Sequence, residues 1–167
     1  MGQLGKKRVG TAARAITAVL RRAYADEWFA HYNYQLVANT LRGHRSPATI
    51  AVLAEKSRRA FDRSNRLIAR VLELGGQPIR KMGDLADVAS DKPFRLPDRL
   101  DDVDAVLKAV LDAERTSIRT YGELATVSAD KDVVTHALAV EFLTAATAGE
   151  ENIERLLGDA APGMTGR

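Results

Sequence analysis

The stretch Leu67-Ile68-Ala69-Arg70-Val71-Leu72-Glu73-Leu74-Gly75-Gly76-Gln77-Pro78 decides how this chain folds. Apolar residues recur at helical spacing, and then two glycines and a proline stop the helix. Reading backwards, the same stripe runs through Ile50, Leu53, Ser57, Ala60, Ser64, Leu67 and Val71, so one helix spans Pro47 to Leu74. Before it, Arg42-Gly43-His44-Arg45-Ser46-Pro47 breaks the period: Gly43 suits a left-handed cap, and Ser46-Pro47 an N-cap followed by the first helical position. Further back, Ile16, Leu20, Ala23, Trp28, Tyr32, Leu36 and Leu41 mark an earlier helix that begins at Thr11.

Reading forwards, residues 77–98 are irregular and carry Pro78, Pro93 and Pro97, with room for a short helix around 84–90. Asp98 or Asp101 can cap a third long helix through about Val127, striped by Val103, Leu107, Val110, Leu111, Glu114, Ile118, Tyr121 and Leu124. Ala129-Asp130-Lys131-Asp132 is a tight connection, and a fourth helix covers 132–157 with Ala139, Phe142, Leu143, Ala146, Ile153 and Leu157. Helices of roughly 25–30 residues are about 40 Å long. Two short links and one long one specify an all-α four-helix bundle with a crossover between helices 2 and 3. The expected organisation is a basic flexible tail at 1–10, the bundle at 11–157 and a second flexible tail at 158–167.

The chain has 167 residues, which favours one domain, and 46% of them are hydrophobic, enough for a real core. A net charge of +3 does not by itself demand a nucleic-acid partner. The absence of cysteine excludes disulfides, thiolate zinc sites, iron–sulfur clusters and cysteine nucleophiles. Three histidines, His31, His44 and His136, leave little material for metal ligation. No run of about 18 apolar residues is present, and Gly5-Lys6-Lys7-Arg8 is no secretory leader. A soluble, cytoplasmic protein without membrane contact is expected.

Several stretches resemble ferritin-like proteins. Tyr24-Ala25-Asp26-Glu27-Trp28-Phe29-Ala30-His31-Tyr32-Asn33-Tyr34 resembles the family's first-helix signature, and the Leu-Gly-Gly-x-Pro ending its second helix. Ala113-Glu114-Arg115 with Ile118 and Tyr121 is similar to the third helix. Asp130-Lys131-Asp132-Val133-Val134-Thr135 is similar to the turn into the fourth, and Glu150-Glu151-Asn152-Ile153-Glu154 to its later half. The nearest branch is the Dps-like one related to bacterioferritins, and the likeness covers about residues 18–157. It implies a symmetric homo-oligomer, a dodecamer by resemblance, and iron as the associated metal.

In that family a di-iron centre uses one Glu from each of two helices and Glu-x-x-His from each of the others, since residues three apart share a helix face. The resemblance places Glu27 and Glu114 at the two single-Glu positions. The Glu-x-x-His slots fall on Ala60 with Arg63, and on Ala146 with Gly149, so both motifs are missing. The branch's two cysteines are missing too; Thr116 stands at one. His31, four residues after Glu27, is left with Glu27 and Glu114 as a residual metal candidate. Two unneutralised carboxylates at a bundle centre need a cation, and a planar Arg63 guanidinium is expected to bridge Glu27 and Glu114, with Lys56 able to play the same part. Small residues at 60, 146 and 149 would leave closer packing, water or a cavity. Met82 and Met164 are not placed for axial ligation, so no haem is implied.

The expected function is therefore a ferritin-like protein with a degenerate di-iron site. It would lack ferroxidase activity, carry no catalytic residue, require no cofactor, and act as an oligomeric structural, DNA-binding or partner subunit. Lys6, Lys7 and Arg8 are the nucleic-acid candidates, because a basic tail repeated around an oligomer holds phosphates by avidity. The alternative is a working iron-storage or Dps-like protein, active in iron homeostasis and oxidative-stress protection, with iron at non-standard sites. A small-molecule binder that uses the vacated centre as its pocket is a third class.

Overall fold

The computed structural model describes residues 2–41, 47–90 and 93–160. Six α-helices carry them: α1 Gln3–Val9, α2 Ala13–Thr40, α3 Pro47–Glu73, α4 Leu85–Val88, α5 Val103–Ser128 and α6 Val133–Ala160. No strand occurs among the described residues. Helices α2, α3, α5 and α6 are the four of an all-α bundle of the ferritin-like kind.

Side-chain pairing fixes the directions. Along α2 the partners on α3 run backwards, Glu27 with Arg63 and His31 with Ser57, so the two helices are antiparallel. Arg115 with Glu150 and His136 with the Ala125 carbonyl make α5 and α6 antiparallel in the same way. The crossover from α3 to α5 returns along α2. Asn33 Nδ2 donates to the Phe94 carbonyl at 2.7 Å, the Phe94 ring packs 4.9 Å from Tyr34, and Asp26 accepts from Ser90 N and Oγ at 2.9 and 3.0 Å.

Buried apolar residues fall into two clusters, one above the other along the bundle. The lower is built on Ile16, Leu20, Leu67, Val71, Leu124 and Phe142, and the upper on Val37, Leu53, Val106, Val110 and Ile153. Between them lies a layer that is not apolar, and the functional question concerns that layer.

Local chemistry explains the helix ends. Gly75 N donates to the Leu72 carbonyl and Gly76 N to the Val71 carbonyl, the double bond of a Schellman cap, with Gly75 at φ 80°. Gly76 is needed for a different reason: a Cβ there would collide with Thr17 Cγ2 and lie 2.9 Å from Val71 Cγ1. Asp132 caps α6 by accepting from Thr135 N, and the buried Arg70 holds that cap from α3 through Nη2 at 2.7 Å.

Three boundaries differ from the sequence reading. Residues 3–9, expected in a flexible tail, form α1 and continue through a 3₁₀ turn into α2; Val9, 6% exposed, joins the lower core and anchors them. The cap of the third long helix is Asp102, whose carboxylate accepts from Ala105 N at 3.0 Å, and not Asp98 or Asp101. The fourth helix extends to Ala160, three residues beyond 157, so Gly158 is helical. Gly43, His44, Ser46, Met164 and the rest of the C-terminal tail lie outside the described residues.

Candidate functional site: a buried carboxylate layer held by cations

Glu27 and Glu114 sit on the core stripes of α2 and α5 and are 2% and 7% exposed. A carboxylate this deep is costly unless it is paired and hydrogen-bonded. Both are. Arg63 Nε and Nη2 reach Glu27 Oε1 and Oε2 at 2.8 and 2.9 Å, a two-pronged fork. Lys56 Nζ reaches Glu114 Oε1 at 2.7 Å.

Two tyrosines complete the layer. Tyr121 OH, on α5, donates to Glu27 Oε1. Tyr34 OH, on α2, donates to Glu114 Oε1 at 3.1 Å. The arrangement is reciprocal: each of the two antiparallel helices supplies a carboxylate and, seven residues on, the hydroxyl that holds the other's carboxylate. Seven residues are close to two helical turns, so each pair shares a face. Arg63 and Lys56 repeat the same spacing on α3.

Electrostatics agree with the geometry. Burial pushes both phenols up, and the neighbouring carboxylates push them further, Glu114 at Tyr34 and Glu27 at Tyr121; both stay protonated donors. Burial alone would lower the Arg63 guanidinium, but Glu27, the Tyr121 oxygen and Glu114 together hold it above its ordinary value.

Gly149 has a definite role. An added Cβ would collide with Glu114 Oε2 and lie 2.8 Å from Glu114 Cδ and 3.1 Å from Lys56 Nζ. A side chain at 149 would push the ion pair out of its present position. Outside it a cavity of about 510 Å³ opens between α3 and α6, floored by Lys56, Arg63 and Glu114 and walled by Ala145, Ala148 and Gly149. Ala60 and Ala146 are buried, and Ala146 packs in the lower core.

Two expectations need correction. Arg63 forks onto Glu27 alone; its second prong returns to the same carboxylate, and Lys56, two turns earlier on α3, neutralises Glu114 instead. His31 does not join either acid. Its Nδ1 lies 3.0 Å from the Ser57 carbonyl, Ser57 Oγ donates back to the His31 carbonyl at 3.0 Å, and the ring packs between Trp28 and Phe61. Among the described residues no three of His, Asp, Glu and Cys converge as a metal site. The donor set at the layer does not fit a di-metal centre: each carboxylate is already engaged by a cation and a hydroxyl, and no imidazole of the described residues faces it. Thr116 turns its hydroxyl to the Asp112 carbonyl at 3.0 Å.

Sequence reasoning missed the tyrosines. The signal was readable as a repeated Glu-x₆-Tyr, 27 to 34 and 114 to 121, on two core stripes. The nucleic-acid candidates Lys6, Lys7 and Arg8 all fall on α1, where Lys7 and Arg8 are exposed. No described helix is long and apolar enough to cross a membrane.

Comparison with known proteins puts this layer in context. A ferritin-like domain pattern, Ferritin, matches residues 17–161. A DNA protection during starvation protein of Pyrococcus furiosus is 28% identical over 151 residues, covering 90% of this chain and 81% of its own. Among solved structures, the dodecameric thioferritin of Bacteroides fragilis, a bacterioferritin-related protein, superimposes with a TM-score of 0.89 at 22% identity over 96% of this chain and 95% of its own. Dps of Thermosynechococcus elongatus does so with 0.81 at 18% identity, over 93% and 96%.

Proposed function

The chain belongs to the ferritin-like family, and we propose that it is a member whose central layer is neutralised by its own side chains in place of metal. On this reading it lacks ferroxidase activity and serves as an oligomeric shell, DNA-binding or partner subunit. One observation carries the proposal: among the described residues, Arg63 and Lys56 occupy the centre and bond to its two carboxylates, Glu27 and Glu114.

Charge balance supports it. A centre of four carboxylates and two divalent ions is neutral, and so is one of two carboxylates, one guanidinium and one ammonium. Ala60 and Ala146 in place of two acids, with two cations added, keep the buried charge near zero, which a low-dielectric interior requires. The oligomeric part of the proposal draws on the dodecameric thioferritin, and the DNA-binding part on the Pyrococcus relative and the basic α1.

The test mixes purified protein with Fe(II) in air and follows ferric absorbance, with metal analysis of the same sample. The expected result is oxidation at the protein-free rate and no stoichiometric metal. Oxidation well above that control would overturn the reading and favour iron handling at other sites. A gel shift with plasmid DNA at low and high salt separates a DNA binder from an inert shell.

A further inference from the structure

The central ion pairs do not use all of their own bonding capacity. Glu114 accepts from both Lys56 Nζ and Tyr34 OH on Oε1, and Oε2 accepts from nothing among the described residues. Arg63 spends Nε and Nη2 on Glu27, which leaves Nη1 without a partner among them. Lys56 Nζ carries three hydrogens and has Glu114 alone. Among the described residues, the side-chain atoms sealed from water without a partner are Arg21 Nε, Asp26 Oδ2 and Trp28 Nε1. Glu114 Oε2 and Arg63 Nη1 are not of that kind, so solvent reaches both, and the space that reaches them is the cavity of about 510 Å³ between α3 and α6.

The free groups converge. Glu114 Oε2 and Lys56 Nζ both lie within 3.1 Å of the point that a Cβ on residue 149 would occupy, so a free acceptor and a free donor of opposite charge meet at one spot, with Arg63 on the same floor. The floor carries two acids, Glu27 and Glu114, and two cations, and has no net charge. A lone anion would satisfy Lys56 and Arg63 but face the Glu114 oxygen; a lone cation would satisfy that oxygen but face Lys56 and Arg63. A molecule with both signs and no net charge meets all three. An α-amino acid carries its ammonium and carboxylate on a single carbon, the short spacing that such closely set partners require. Ala51, Val52, Ala145 and Ala148 give the cavity apolar walls for its side chain.

We propose that the cavity between α3 and α6 binds a small zwitterion of the α-amino-acid class, with its ammonium on Glu114 Oε2 and its carboxylate on Lys56 Nζ and Arg63 Nη1. The inference rests on the reading that side chains of α3, in place of metal, hold the central layer.

Isothermal calorimetry of the full chain at low ionic strength, with L-alanine and L-valine as probes, reads the binding directly. Saturation by at least one of them is expected below about 10 mM. Sodium acetate and methylammonium chloride each carry half of the zwitterion and should bind about tenfold more weakly or less, since each forgoes a charge-assisted contact. Ala148→Leu narrows the cavity from an exposed position and leaves the ion pairs in place; it should weaken binding about tenfold or more. Ala54→Leu, exposed on α3 but outside the cavity, is the control expected to bind as the parent does. Both variants are checked for the parent circular dichroism. No saturation by either amino acid at about 10 mM, acetate or methylammonium binding as tightly as the zwitterion, or unchanged binding in Ala148→Leu overturns the proposal. If iron oxidation stays at the protein-free rate, such a failure falls on the ligand alone; oxidation well above that rate removes the reading of the layer as well.

Discussion

Removing Arg63 is the sharpest perturbation of the central layer. In Arg63→Ala the fork onto Glu27, at 2.8 and 2.9 Å, disappears and the carboxylate, 2% exposed, keeps only the Tyr121 hydroxyl. Opposite charges about 4 Å apart attract by about 4 kcal/mol at an effective dielectric of 20. Truncating one partner of a buried pair costs about 3–5 kcal/mol, because the other charge stays buried and uncompensated. For a chain of this size each kcal/mol moves the midpoint by about 2–4 °C, so Tm should fall by about 6–20 °C. The assay is thermal and urea unfolding at one fixed chain concentration, since an oligomer's stability depends on it. Glu27→Gln/Arg63→Met supplies the second arm. It removes both charges and retains volume, and it should recover most of the loss. A cost below about 1 kcal/mol for Arg63→Ala, the value of a surface pair, would refute the claim that this cation holds the centre together.

Three more outcomes follow from the same geometry. Gly149→Ala should destabilise by about 1–2 kcal/mol in urea unfolding, because its Cβ overlaps the Glu114–Lys56 pair, whereas Gly122→Ala, with nothing near its Cβ, should stabilise by up to about 1 kcal/mol through helix propensity alone. Burial raises Asp26 from 3.8 to about 6, against the hydrogen bonds from Ser90, so the folded state holds its proton more tightly than the unfolded one; stability from this group is full below pH 3.8 and is lost as pH rises through about 6, by up to about 3 kcal/mol, and Asp26→Asn should flatten that part of the urea-midpoint profile. Rebuilding both motifs with Ala60→Glu, Arg63→His, Ala146→Glu and Gly149→His should yield metal-dependent stabilisation, read as a Tm rise on adding Zn(II), only when Lys56→Gln is added, since Lys56 otherwise competes for Glu114.

The four long helices were legible because each buries one continuous stripe, and a 3.6-residue period over 26–28 residues is hard to mistake. Gly75-Gly76 was legible as a stop because its chemistry is local. Its second duty, the close approach to Thr17, depends on a residue 59 positions away and leaves no local mark. The same distinction governs the site. Arg63, at a position where the resemblance expects a histidine, said that a cation enters the core, but which carboxylate it takes depends on side-chain reach between helices. Guanidinium geometry favours two oxygens of one acid over one oxygen from each of two, so Glu114 was left for Lys56. His31 misled for a related reason: it faces α3 as Glu27 does, but one turn further along, where Ser57 and not a carboxylate stands opposite, so its ring nitrogen meets the Ser57 backbone. The α1 segment misled because a basic composition reads as a solvated tail, while a single buried Val9 was enough to anchor it.

On the proposed reading, arginine and lysine in place of metal also change what the bundle depends on. A carboxylate-rich centre without its ions repels itself, so its stability rises and falls with metal supply. A centre whose counter-charges are covalently part of α3 carries them at every metal concentration, and the two hydroxyls from α2 and α5 lock the helices that bear the acids. The same substitution narrows what the layer can do chemically. Arg63 stays protonated at any physiological pH, both phenols are pushed up, and each carboxylate is engaged by a cation and a hydroxyl. What remains is a neutral joint between two apolar cores, in which each acid is matched by a cation from α3 and a hydroxyl from the facing helix.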